Sequence, residues 1–145
     1  MEANTIAKYF LLKANAEEDT GISNLKLQKL LYYAHGFHLA IFDKPLFDEE
    51  IYAWQHGPVC PDIYHIYKHN GSNVIEYSDE GIDFNSLFND EQLELLDEVY
   101  SVFGQYSAWK LRNMTHEEPT WINNEAEALL ITNTEMKEYF KTRLN

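Results

Sequence analysis

The stretch that follows Ser23 carries the sequence pattern that most restricts the fold. Apolar side chains recur there at intervals of three and four positions, which places them on one face of an α-helix. Ser23 or Asn24 can cap its start, because a short polar side chain accepts a hydrogen bond from the first free backbone amides. The pattern predicts a long amphipathic helix whose buried stripe comprises Leu27, Leu30, Leu31, Ala34, Phe37, His38 and Ile41.

Five further helices are predicted around this one. A capping pair of Asn89 and Gln92 begins one of them, which Gly104 ends, and Thr132 with Glu135 begins the last helix of the chain. The remaining helices are expected at residues 5–16, 61–68 and 107–114, with a break at 17–21 and an ordered turn at 115–121.

β-structure is expected in the middle of the chain. Residues 49–54 alternate in the way typical of a strand, and residues 74–77 and 82–84 resemble the two arms of a hairpin, either of which could pair with that strand. A length of 145 residues suits a single domain over residues 1–145. The predicted fold class is mainly α, with about six helices and a small β-hairpin or three-stranded sheet element.

Charge limits the kinds of partner. The chain has 24 acidic and 11 basic side chains, a net charge of −13, and fifteen of the acidic side chains follow Ile75. Binding to a phosphate backbone relies on clustered lysine and arginine, so nucleic acid is not an expected partner. The acidic surface either keeps the domain soluble or attracts a basic protein.

Neither a secretory leader nor a membrane span is expected. The N-terminus has no basic stretch before an apolar run, and no window approaches the roughly 18 apolar residues that a span requires. The single cysteine, Cys60, excludes an internal disulfide and suits a reducing compartment. These features favour a cytoplasmic protein without a membrane partner.

Six histidines raise the hypothesis of a metal site. His35 and His38 share a face of the long helix, and His116, Glu117 or His56 could complete a zinc site. Two observations disfavour a metal site: the sequence has no HExxH pair, and it has only one cysteine. The competing interpretation is that His38 hydrogen-bonds within the core while His35 lies at its edge. A metal-dependent hydrolase of mobile elements stays an alternative, and the expectation is a protein without metal or cofactor.

Cys60 and His56 are the other pair with catalytic potential. Cys60 lies just before a predicted helix, a position that lowers the pKa of a thiol, and His56 could act as its base. Gly57 and Pro58 separate the two, and nothing in the sequence fixes their geometry. A buried, inert cysteine is therefore expected, and the chain is not predicted to be an enzyme.

Tyrosine and tryptophan are more abundant than a core of this size needs. Both residue types are over-represented at interface hot spots, because they combine a large apolar area with a polar group. Together, around turns fixed by glycine and proline, they favour a rigid binding surface. The residues are Tyr32, Tyr33, Tyr52, Trp54, Tyr64, Tyr67, Tyr100, Tyr106, Trp109 and Trp121.

Two blocks of this sequence resemble the Panacea domain of SocA-like antitoxins, a family first noted in phage-associated proteins. The first block reads LKLQKLLYYAHGFHLA from Leu25, PLF from Pro45 and AWQHGPV from Ala53. The second covers residues 99–121 and contains the motifs YSA, THE and PTW. The two blocks follow each other in the family's order and spacing, and they cover most of residues 23–121.

This resemblance implies a non-enzymatic antitoxin, encoded beside a toxin and neutralising it by direct binding in a type II toxin–antitoxin or phage-defence system. It also implies an alternative, an adaptor that delivers the toxin to a ClpXP-type protease. The toxin's chemistry does not follow, because relatives neutralise very different toxins. The residues that carry over, as partner contacts or as motif scaffold, are Tyr32, Tyr33, His35, Trp54, His56, Gly57, Pro58, Trp109, Thr115, His116, Glu117 and Trp121.

Overall fold

The computed structural model describes residues 2–17 and 21–144, and more than half of the chain is helical. The predicted class, mainly α with a small three-stranded sheet, is confirmed. Within the described residues there are eight α-helices rather than about six, because two of them have only four residues and leave no periodic pattern. The helices are α1 (Ala3–Ala16), α2 (Asn24–Phe42), α3 (Pro61–Tyr67), α4 (Phe84–Leu87), α5 (Asp90–Phe103), α6 (Ala108–Thr115), α7 (Pro119–Ile122) and α8 (Asn133–Lys141), and the strands are β1 (Ile51–Trp54), β2 (Gly57–Val59) and β3 (Leu130–Ile131).

Helix α2 lies at the centre of the molecule, in contact with α1, α3, α5, α6 and α8. Because neighbours pack on it from several directions, fifteen of its nineteen residues are buried, not only the predicted stripe. The predicted burial of Ile41 is wrong. Its side chain is 48% exposed and, with Val102 and Leu144, lines an open groove. Neither α2 nor any other helix in the described ranges is both long and apolar enough to cross a membrane.

Helices α2 and α8 meet closely at Gly36. A Cβ atom at this position would overlap the ring of Phe140. That ring is fully buried and packs edge-on against Tyr32 and Phe37. The missing side chain at Gly36 therefore sets how near the two helices can approach.

We expect Gly36→Ala to lower the free energy of unfolding by about 1–2 kcal/mol. A Cβ atom well inside contact distance of the Phe140 ring places the cost of overpacking in the upper part of its range, at about 2–3 kcal/mol, and the better helix propensity of alanine offsets about 1 kcal/mol. Urea denaturation followed by circular dichroism measures the change. Adding Phe140→Leu, which shortens the opposing side chain, should recover part of the loss. An unchanged denaturation midpoint for the single variant would contradict this close approach.

The sheet has the strand order β2–β1–β3, and both pairings are antiparallel. Trp54 pairs with Gly57 across the β1–β2 turn, and Ile51 pairs with Ile131 on the other side of β1. The first strand begins at Ile51, two residues later than predicted. Strand β3 was not predicted, because two residues are too few to show a period of two.

The hairpin predicted at residues 74–77 and 82–84 is wrong. Val74 forms one isolated bridge with Ser23, and the amide of Ile75 donates to the same segment at 2.9 Å. The carbonyl of Tyr77 accepts a hydrogen bond from Asn15 Nδ2 at 2.6 Å, and residue 84 already begins α4. The first arm therefore bonds to other segments, and β1 pairs with β3 instead.

Most helix starts agree with the predicted caps. Ser23 caps α2, the reciprocal capping box at residues 89 and 92 begins α5, and Thr132 caps α8. The carboxylate of Glu135 accepts from the side chain of Asn124 rather than completing a second box. Pro119 starts the short helix α7 within the predicted turn, since proline suits the first helical position. Helix α1 starts two residues earlier than predicted, and residues 18–20 of the predicted break lie outside the described residues.

Candidate functional site

The turn between β1 and β2 rests directly on α2 and α6. Gly57 has a φ of +109°, a backbone conformation that side chains other than glycine rarely adopt. A Cβ atom here would also lie 2.6 Å from Lys29 Cε and 2.7 Å from Thr115 Oγ1. Backbone angle and available space both require glycine at this position, and the turn is consequently fixed against the helices beneath it.

Lys29 lies beneath this turn with no exposed surface. Its ammonium group donates to the carbonyl of Pro58 at 3.1 Å. Burial, together with the nearby charge of Arg112, lowers the pKa of Lys29 to about 7. Lys29 is not among the predicted site residues, because a lysine in an amphipathic helix normally extends into solvent.

The segment from Thr115 to Trp121 packs against the same turn. The rings of His116 and Trp121 stack with their centroids 3.8 Å apart and their planes at 5°. The indole N–H of Trp121 donates to the carbonyl of Trp54 at 2.7 Å, which joins residues 67 positions apart in the chain. Burial, followed by the charges of Arg112 and Lys29, lowers the pKa of His116. Its Nε2 atom is buried and has no hydrogen-bond partner among residues 2–17 and 21–144.

Trp109 and Arg112 of α6 lie beside His56 of the β1–β2 hairpin. Together they form a polar–aromatic surface, called here the hairpin–α6 cluster. Trp109 is 56% exposed. The guanidinium of Arg112 lies over the Trp109 ring, 4.3 Å from its centroid, and its Nε donates to His56 Nδ1 at 3.3 Å. Sequence reasoning singled out Trp109 and His56 but missed Arg112, whose place between them depends on the register of α6 against the hairpin.

Trp54 is half-buried where the hairpin meets α3. Its ring meets Tyr64 of α3 edge to face, with centroids 5.2 Å apart. Both line an open groove of about 400 Å³ that also includes His56 and Val59. Trp54 therefore contributes to the fold and to the surface at once.

Tyr32 and Tyr33 lie below the site, in the interior. Each donates its hydroxyl to the carboxylate of Glu118 at 2.7 Å, and Arg143 reaches the same carboxylate at 3.3 Å. Burial raises the pKa of Glu118 although these donors act in the opposite direction. The predicted site residue is the neighbouring Glu117, which is exposed. The sequence alone does not distinguish two adjacent glutamates.

The histidines of the metal hypothesis have separate partners. His35 bonds to Asn133 at 3.0 Å and stacks on a phenylalanine ring, whereas His38 Nδ1 bonds to the carbonyl of Lys44 at 2.7 Å. The expectation that His35 lies at the edge of the core is wrong, because α8 and its N-terminal Asn133 cover it to 1% exposure. Burial lowers the pKa of His35 to about 4. Within residues 2–17 and 21–144, no three His, Cys, Asp or Glu side chains converge as metal ligands would.

Cys60 is buried, as predicted. Burial raises the pKa of its thiol to about 12, so the reactive thiolate is scarce at neutral pH. The neighbouring His56 is exposed and bonds to Arg112. This pair does not form a nucleophile with an oriented base.

Comparisons with known proteins match the region that builds this site. A family model described as antitoxin SocA-like, Panacea domain, matches residues 27–122. Antitoxin SocA of Caulobacter vibrioides (strain NA1000 / CB15N) is 44% identical over 75 residues, which are 52% of this chain and 39% of the relative. The chain thus spans less than half the length of that curated relative. No solved structure matches this chain. Because the family match covers more than half of the chain, including the hairpin, α6 and α7, this chain belongs to the family of SocA-like antitoxins that carry the Panacea domain.

Proposed function

We propose that this chain is a non-enzymatic antitoxin that neutralises a cognate toxin by direct protein–protein binding. The family to which it belongs supports the antitoxin role. The observation that carries the binding proposal is the hairpin–α6 cluster, in which a largely exposed tryptophan is stacked with an arginine. Tryptophan and arginine are the residue types most enriched among interface hot spots.

The scaffold beneath the cluster supports the same proposal. Gly57 fits against Lys29 and Thr115, and Trp121 bonds to the backbone of Trp54, so the hairpin is fixed to three helices. A surface held in one conformation loses little entropy when a partner binds. The net charge of −13 adds long-range attraction to a basic toxin.

The antitoxin role is tested by co-expression with the protein encoded beside this chain. That product should arrest growth when expressed alone and should be tolerated when this chain is present. The two proteins should also co-purify. A harmless neighbouring product that forms no complex would refute the proposed function.

Trp109→Ala should weaken binding to that neighbouring product by at least about 2 kcal/mol, the loss typical of an interface hot spot. The free energy of unfolding should change by no more than about 0.5 kcal/mol, because the side chain is largely exposed. Isothermal titration calorimetry and thermal melts measure the two quantities.

Leu87→Ala is the matched control for this variant. Leu87 is also exposed, at 48%, but it lies on α4, which packs against α1 through Phe84 and Tyr9. Its truncation should leave binding unchanged. Equal losses of affinity for both variants would mean that Trp109 has no special role in the interface.

The half-life of the partner separates the two modes of neutralisation. If this chain only blocks the toxin, the half-life of the toxin stays unchanged or lengthens when the two are co-expressed. If the chain also delivers the toxin to a ClpXP-type protease, the half-life shortens, and deletion of the protease restores it. Either outcome is compatible with direct binding.

A further inference from the structure

The two arginines of the chain have opposite surroundings. Arg143 forms an ion pair with the buried carboxylate of Glu118 at 3.3 Å. Arg112 bonds to His56 and to the side-chain oxygen of Asn113, and it makes no ion pair with any residue in the ranges 2–17 and 21–144. Arg112 is therefore a partly exposed arginine whose hydrogen-bond partners among the described residues are not carboxylates.

More positive charge lies behind Arg112. The ammonium group of Lys29 is buried under the hairpin, where its hydrogen-bond acceptor is the uncharged carbonyl of Pro58. Arg112 is close enough to Lys29 and to His116 for its charge to lower the pKa of both. Arg112 is therefore the partly exposed positive charge of the cluster, and Lys29, with a pKa of about 7, adds about half a charge behind it at neutral pH.

Arg112 also retains unused hydrogen-bonding capacity. A guanidinium group has five N–H donors in one plane. His56 and Asn113 take one each, which leaves three without an acceptor in the described residues. A carboxylate can accept two of these in parallel, which is the strongest form of this contact. The Trp109 ring under the guanidinium holds the group in place and provides apolar surface around the contact.

We infer that Arg112, with Trp109 and His56 beside it, binds a carboxylate side chain of the toxin, an aspartate or a glutamate. This inference rests on the proposed function and specifies one contact of its interface. Nucleic-acid phosphate is the less suitable occupant, because the net charge of −13 repels a polyanion. Elsewhere in the interface, acidic groups of this chain would face basic groups of the toxin. A single contact with the charges exchanged, Arg112 against a carboxylate of the toxin, fixes the register of the two surfaces.

The test compares two charge reversals on α6. Arg112→Glu should weaken the affinity for the protein encoded beside this chain by roughly 30-fold or more, the range for losing one partner of a close interfacial charge pair. Lys110→Glu makes the same change in net charge two residues away, on a different side of the helix, and should change the affinity by less than about 3-fold. Titration calorimetry gives both dissociation constants, and melts confirm that both variants are folded. If Arg112→Glu does not fold, Arg112→Gln replaces it and should also weaken binding.

A rescue experiment then identifies the carboxylate. Each acidic surface residue of the toxin is changed to arginine, and one such change should restore at least part of the affinity of the Arg112→Glu variant. The inference is overturned if Arg112→Glu binds as tightly as the wild type, if both reversals weaken binding equally, or if no acid-to-arginine change restores affinity. A wild-type chain that does not bind the neighbouring product refutes the proposed function itself, which distinguishes the two failures.

Discussion

Glu118→Ala should lower the free energy of unfolding by about 3–5 kcal/mol, because it removes the acceptor at the centre of a buried network. Tyr32, Tyr33 and Arg143 all donate to this one carboxylate. Without it, the buried hydroxyl of Tyr33 has no acceptor among the described residues, and each buried donor left unsatisfied costs about 1–3 kcal/mol. Tyr32 retains Thr120 Oγ1 at 2.6 Å and Arg143 retains the hydroxyl of Tyr139 at 2.9 Å, but both lose the charged acceptor. Because the network joins α2, the start of α7 and the residues after α8, the loss should affect the whole fold.

Urea denaturation measures this loss, and two variants control for it. Glu118→Gln keeps the shape and an acceptor oxygen, so it should cost clearly less than the alanine variant. Glu117→Ala changes the adjacent, exposed glutamate and should stay within about 0.5 kcal/mol of the wild type. A Glu118→Ala protein as stable as the Glu117→Ala protein would show that the buried carboxylate contributes no net stability.

Lys29→Met should stabilise the protein at neutral and acidic pH by several kcal/mol, at about 1.4 kcal/mol for each unit by which the pKa is lowered. The pKa of Lys29 falls from the model-peptide value of 10.5 to about 7 in the folded protein. Between these values the unfolded chain binds more protons than the folded one, so the stability of the wild type rises with pH. Below pH 7 the cost of burying the charge is present in full. Methionine fills similar space without a charge. The carbonyl of Pro58 loses its donor, which costs about 1–3 kcal/mol and offsets only part of the gain.

The measurement is the free energy of unfolding at several values between pH 7 and pH 9. The wild type should become more stable across this window, and the Lys29→Met variant should show a smaller rise. Lys68→Met, which replaces an exposed lysine, should retain the slope of the wild type. The buried His35, whose pKa is lowered to about 4, titrates below this window. A wild-type profile that is flat from pH 7 to pH 9 would contradict the lowered pKa of Lys29.

Local signals in the sequence predicted the elements that depend on neighbouring residues. The caps at Ser23 and Thr132, the capping box at the start of α5 and the glycine turn at Gly57 are each determined within a few positions of the chain. The small sheet was predicted as a class, but its third strand was placed wrongly. That strand is chosen by which distant segment reaches β1, and the choice depends on tertiary packing.

The residues that sequence reasoning missed are defined by distant contacts. Lys29 is buried because a hairpin from residues 51–59 covers it, and Glu118 is buried because two tyrosines of α2 point at it. Arg112 matters because α6 sets it against Trp109 and His56. A lysine, a glutamate and an arginine are normally solvent-exposed residue types, so composition and periodicity alone favour the exposed interpretation for all three.

The sheet described above also restricts how another protein can attach to this one. One edge, β2, has three residues and carries Pro58, and the other edge, β3, has only two residues. Short edges and proline prevent an extended segment from another chain from adding itself as a further strand. A toxin is thus expected to be recognised through its side chains and the shape of its surface, and copies of this protein should not join into fibres through backbone pairing at the sheet.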